Sequence, residues 1–130
     1  MFIIVKSKRM AQKYIEGDIV EYDNKVMVAK EPRDGSHFDL YCPKEGLVYC
    51  FVGVDEINPV NLTPEILKKN RWEHKDDVYF KEYPHRKLVV MDGNAYIINE
   101  SCSLFLCKVE FVHELQHLLF SLRLNSEMEV

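Results

Sequence analysis

Between the apolar runs KLVVM and NAYII stands the pair Asp92-Gly93. A two-residue type I′ turn needs positive φ at both central positions, and Asp-Gly supplies it at low cost. The β-branched and aromatic residues on either side favour pleated backbone. This stretch therefore predicts a hairpin, and the rest of the chain repeats the same grammar. In GDIVEYDNKVMVA, residues 17–29, two short strands meet at Asp23-Asn24. The polar segment KEPRDGS then reads as a loop, with Pro32 and Gly35 as breakers. HFDLYC and LVYCFVGV form a second strand pair around Pro43-Lys44-Glu45-Gly46. Four or five short strands within about 40 residues predict a small, strongly bent SH3-like β-barrel.

Pro59 is expected to end that module, and NLTPEILKKN follows as a well-marked helix. Thr63 suits the N-cap, and Pro64 suits the first helical position, where its missing N–H is not needed. Glu65 complements the positive helix end. Leu62 and Leu67 stand at the two positions of a hydrophobic staple, and Asn70 is the expected terminator. Trp72 reads as a core anchor. After it come DVYFKEY, the Asp92-Gly93 hairpin, SLFLCKV and a final amphipathic helix over 110–122. The expected class is α+β: an SH3-like β-barrel module over residues 1–58, then a short helix, a β-meander and a C-terminal amphipathic helix over 59–130.

The 130 residues carry a net charge of −4, with 47% apolar and 29% charged residues. That balance is globular, and it disfavours polyanion binding across a whole face, which needs a positive surface. The one basic cluster, Lys6, Lys8, Arg9 and Lys13, reads as a solvated N-terminal segment. No apolar run approaches bilayer-spanning length, and Phe2-Ile3-Ile4-Val5 is too short for a signal-peptide core. A cytoplasmic location is the expectation. Cys42, Cys50, Cys102 and Cys107 lie in β-like apolar stretches, where a thiol behaves as a small hydrophobe. Their separations make no zinc knuckle.

The segment EFVHELQHLLF spells H-E-x-x-H, the zinc-peptidase signature. Histidines four apart share a helix face and can share a metal, while the intervening Glu activates a bound water. His113 and His117 meet the spacing, and Glu114 takes the place of the base. On a helical wheel both histidines fall opposite the arc of Phe111, Val112, Leu115, Leu118, Leu119 and Leu122, so they are expected to point away from the core. A third ligand is not evident. The metzincin extension needs Gly and His where this chain has Phe120 and Arg123, and only thirteen residues follow His117. Glu127 and Glu129 fall in a tail expected to fray, and His74 or His85 would have to come from upstream. The isolated glycines make no phosphate loop, there is no G-x-S-x-G elbow, and a pairing such as His37 with Cys50 has no local support.

The words NLTPEILKKNRWE and FVHELQHLLFSL resemble those of a loose group of small proteins from gut Bacteroides-type bacteria, their phages and mobile elements. Leu62, Thr63, Glu65 and Leu67 match the first word; Val112, His113, Leu115, Gln116 and Leu118 match the second. That pattern commonly has Asn where this chain has His117, and Asn-Gly-aromatic where it has Asn70-Arg71-Trp72. The resemblance implies no established activity. It does imply that H-E-x-x-H here is spelled over a packing motif.

The expected function is a non-enzymatic protein-interaction or assembly module of phage or mobile-element origin, without a cofactor. Tyr22, Phe38, Tyr41, Tyr49 and Phe51 supply aromatics to the first module and are expected in its core rather than in a groove. Phe120 and Leu124, beside the histidine face, form an apolar pair expected to meet a partner or a second copy. The alternative is a zinc-dependent hydrolase using His113, His117 and Glu114. Nucleic-acid binding by the first module is the least favoured reading, and no membrane partner is expected.

Overall fold

The computed structural model describes residues 14–130. The basic cluster Lys6–Lys13 and the apolar Phe2–Val5 lie outside these residues. The chain forms two compact units divided between Val60 and Asn61. Each is built on a five-stranded antiparallel sheet. Among the described residues no helix is long and apolar enough to cross a membrane.

In the first unit the strands are β1 (Ile19–Tyr22), β2 (Lys25–Asp34), β3 (His37–Cys42), β4 (Leu47–Gly53) and β5 (Asn58–Pro59). They lie in the order β4-β3-β2-β1-β5. Pairing stops at β4 and β5, so the described residues form an open sheet and not the closed barrel expected. Asp23 and Asn24 both take positive φ, 54° and 59°, as the β1–β2 turn requires. Val20, Met27, Ala29, Phe38, Leu40 and Cys42 build the core on one face.

The polar segment expected as a loop is instead the second half of β2. Pro32 pairs with Phe38 and Asp34 with His37, and the register shifts on both sides of Pro32. The shifts and the strand's position explain the error. Among the described residues β1 ends its ladder at Val28, so Pro32 has a paired strand on one side only and its missing N–H is tolerated. Pro59 lies inside β5, opposite Val20, and belongs to the first unit.

The second unit opens with helix α1 (Pro64–Lys69) and continues through β6 (Glu73–Lys75), β7 (Val78–Tyr83), β8 (Arg86–Met91), β9 (Asn94–Ile98) and β10 (Ser103–Lys108) to helix α2 (Val112–Ser121). Its strands follow sequence order across the sheet, from β6 at one edge to β10 at the other. Strand β6 was not foreseen, because three charged or polar residues carry no apolar period. Asp92 and Gly93, φ 52° and 74°, close the β8–β9 hairpin. Thr63 Oγ1 accepts from the Ile66 N–H at 3.3 Å, capping α1 as expected. Leu67, Trp72, Leu88, Val90, Leu115 and Leu119 centre the core, and Leu62 packs against it.

Both helices end the same way. After α1 the Trp72 N–H reaches the Leu67 carbonyl at 3.0 Å, and the Arg71 N–H reaches that of Lys68 at 3.0 Å. After α2, Leu124 bonds back to Leu119 at 2.9 Å and Arg123 to Phe120 at 3.0 Å. These are Schellman closures, with Arg71 and Arg123 at left-handed φ of 68° and 60°, where glycine is the usual occupant. Each closure folds an apolar residue, Trp72 or Leu124, back toward the core.

Candidate functional site

The histidine face of α2 is not where the helical wheel places it. His113 is 3% exposed, and Gln116 is buried as well. Gln116 is covered from beyond the helix. The closure at Arg123 turns the chain back, and the Gln116 Nε2 donates to the Ser126 carbonyl at 3.1 Å. The tail expected to fray is held further along. Asn70 exchanges two hydrogen bonds with the Glu129 backbone, and Lys69 Nζ donates to the Val130 carbonyl at 3.0 Å.

His113 and His117 do stand together, with ring centroids 5.5 Å apart and edge to face. Glu114, the residue a zinc peptidase would use as base, is otherwise engaged. Its Oε1 accepts the backbone N–H groups of Glu110 at 2.9 Å and Phe111 at 3.0 Å. This is the N3 half of a capping box, so the carboxylate closes the helix start. Among the described residues no three His, Cys, Asp or Glu side chains gather in a way that could hold a metal ion. The donor set does not fit a catalytic zinc, which wants three protein ligands and an open position.

The expected apolar pair also divides. Phe120 is 66% exposed, but Leu124 packs against the core of its own unit. The Schellman closure explains this, since it brings the residue after the left-handed position onto the helix.

Three side chains in the first unit imitate a hydrolytic triad. Ser36 Oγ lies 3.1 Å from His37 Nδ1, which lies 2.9 Å from Asp34 Oδ1. A relay needs the carboxylate and the nucleophile on opposite ring nitrogens. Here both approach Nδ1, and Asp34 Oδ1 also accepts the Ser36 N–H at 2.8 Å. The group is a turn lock. The His37 hydrogen bond, with that of the Ser36 N–H, holds the Asp34 carboxyl below the usual carboxylate range. Of the cysteines, only Cys42 is buried; Cys50 and Cys102 are exposed and Cys107 is half-buried. Strand β4 leaves Cys50 uncovered at the sheet edge, and Cys102 sits in the β9–β10 turn.

The arrangement with most internal support surrounds Phe51, on edge strand β4. Phe51 has φ of 58°, a left-handed conformation rare for a bulky residue. Its N–H donates to Asp39 Oδ1 at 2.9 Å. Asp39 is itself 6% exposed, and its other oxygen takes Arg33 Nε at 2.9 Å and Nη2 at 2.7 Å. The Arg33 hydrogen bonds, then that of the Phe51 N–H, keep the Asp39 carboxyl below its ordinary pKa. The Phe51 ring lies parallel to His37, centroids 4.0 Å apart and planes 11° from parallel. The ring nonetheless remains 56% exposed.

Of the five aromatics expected in the core, Phe38 is buried, Tyr22 and Tyr49 pack against the core edge, Tyr41 is half-buried outside it with Lys30 over its ring, and Phe51 points out. No sequence signal marks Phe51, because an apolar residue inside an apolar strand reads as core. Leu47 and Val48, on the same edge strand, are each 55% exposed. Nearby, Glu45 accepts from Tyr49 at 2.6 Å and pairs with Lys25 at 2.9 Å, tying the β3–β4 turn to the start of β2. No protein-family model, no curated protein and no solved structure matches this chain.

Proposed function

We propose that this is a non-enzymatic interaction or assembly protein of phage or mobile-element origin, working in the cytoplasm, whose first unit offers Phe51 to a protein partner. The observation that carries the reading is the left-handed backbone of Phe51. Strain of this kind costs on the order of 1–3 kcal/mol and persists only where the surroundings enforce it. Here a buried carboxylate, an arginine and a stacked histidine together hold a large apolar ring in solvent. Burial cannot be what that conformation is for. Exposed aromatics flanked by apolar residues are the usual anchors of protein contacts.

The strand order β4-β3-β2-β1-β5, with a 3-10 turn at Val54–Glu56 just before the last strand, supports reading the first unit as SH3-like. Leu47, Val48 and Phe51 share its edge strand, where a partner chain could also pair with the backbone. Capture of a partner from host-cell extract by the wild type but not by Phe51→Gly would support the proposal. Equal capture by both would refute it.

A further inference from the structure

The two edges of the second sheet differ in character. At one edge β6 is three exposed residues long, Glu73, His74 and Lys75, the short charged kind of strand that discourages further pairing. At the other edge β10 runs for six residues, SLFLCK, and carries its only charge at the last of them. Leu104 is 57% exposed there and Phe105 52%. An edge of this kind presents unpaired backbone N–H and C=O groups as a template for another strand.

The register shows what sort of occupant the edge fits. Leu104 stands opposite Ile97, which packs against the core of the unit. Phe105 stands opposite Tyr96, and the two rings meet edge to face with centroids 5.6 Å apart. Because side chains alternate along a strand, the two exposed residues lie on opposite faces of the sheet. A partner laid on either face would cover one and leave the other. A strand added at the edge continues both faces and covers both.

We propose that β10 pairs antiparallel with β10 of a second copy of this chain, joining two five-stranded sheets across a two-fold axis. The register with β9 shifts after Phe105, so Ser103–Phe105 is the regular stretch and Leu104 its centre. An axis at Leu104 sets that residue against its own copy on the core face. On the other face it sets each Phe105 opposite Ser103 of the copy. Charge favours the same occupant. Antiparallel pairing carries Lys108 toward the end at which the copy's chain enters β10, just after Glu100. Neither Lys108 nor Glu100 makes an ion pair among the described residues. The turn that carries Glu100 is fixed, since Asn99 Oδ1 accepts the N–H groups of Ser101 and Cys102, each at 3.0 Å. Parallel pairing would instead bring like ends together. This surface lies in the second unit, and it stands or falls apart from Phe51.

The test is sedimentation equilibrium of the full chain. Between about 5 and about 500 µM the wild type should pass from monomer to dimer, with a Kd on the order of 10–100 µM for so small an interface. Leu104→Lys and Leu104→Glu should each weaken the dimer about tenfold or more, through lost apolar burial and like charges set opposite each other. Both should melt near the wild-type temperature in dilute solution, because Leu104 is exposed in the monomer. An equimolar mixture of the two variants should dimerise more strongly than either alone, a rescue that general damage to the fold would not give. A wild type that stays monomeric throughout would overturn the proposal and leave the edge to another protein. A mass that climbs past the dimer, variants that dimerise as the wild type does, or a mixture no stronger than its parts would overturn the two-fold pairing at Leu104.

Discussion

The Asn70 side chain pairs with the backbone of Glu129 at both ends: its Nδ2 donates to the Glu129 carbonyl at 2.8 Å, and its Oδ1 accepts the Glu129 N–H at 2.8 Å. The same Nδ2 also reaches the Ile66 carbonyl at 2.8 Å. One residue therefore closes α1 and fastens the chain's last segment, which a sequence reading leaves loose. Asn70→Ala should cost about 1–2 kcal/mol of stability, the usual worth of a few partly exposed hydrogen bonds. Urea unfolding measures this, and hydrogen exchange at the Glu129 amide should accelerate. Unchanged exchange would show that the tail is held by other contacts.

Arg71 and Arg123 occupy left-handed positions that a side chain resists by roughly 1–2 kcal/mol. Arg71→Gly should raise stability, by about 1 kcal/mol after the entropy glycine adds to the unfolded chain. Arg123→Gly should act in the same direction, and the two together should be nearly additive because they close different helices. A fall in the melting temperature of either single variant would contradict this.

Phe51 invites a comparison between two substitutions. Phe51→Ala loses the ring's contact with His37 yet keeps a Cβ in left-handed backbone. Phe51→Gly loses the ring and the strain together. The glycine variant should therefore be the more stable of the two by about 1 kcal/mol. The opposite order, measured by chemical denaturation, would mean that the left-handed conformation is not retained.

Asp39 makes a pH prediction. Its folded pKa lies below the ordinary value, chiefly through Arg33 and then through the Phe51 N–H. For a depressed acid the stabilisation is present above the unfolded pKa, near about 3.9, and is lost as pH falls through the folded value. Stability should thus decline below about pH 4, and Asp39→Asn should flatten that decline. Asp34, held low by His37 and Ser36, adds in the same direction from a more exposed position. An Asp39→Asn variant with an unaltered acid limb would place the effect elsewhere.

Glu114 separates the capping role from the catalytic one. Glu114→Ala should destabilise α2 by about 1 kcal/mol, and Glu114→Gln should restore most of that, since an amide oxygen can still accept from Glu110 and Phe111. A carboxylate acting as a zinc-bound water's base would leave stability unchanged on either substitution.

Much of the architecture was legible because it is local. Asp23-Asn24, Asp92-Gly93, Thr63-Pro64 and the apolar arc of α2 each carry their conformation within a few residues. The misreadings share a different origin. Among the described residues, Pro32 sits in a strand because the β1 ladder stops short of it. The face of His113 is covered at Gln116, where the chain returns past the helix. Phe51 faces solvent because Asp39, twelve residues upstream, holds its N–H. Leu124 turns inward through a closure whose left-handed position is filled by arginine rather than glycine. A wheel or an alternation pattern records what one element prefers. These four positions were decided by a second element.

The most direct measurement is partner capture from host-cell extract by wild type and Phe51→Gly in parallel, with the melting temperature of each recorded on the same preparation. The account predicts that the glycine variant melts at or near the wild-type temperature and loses a protein the wild type retains. A variant that is equally folded and retains the same proteins in the same yield would contradict it, as would a wild type that retains none.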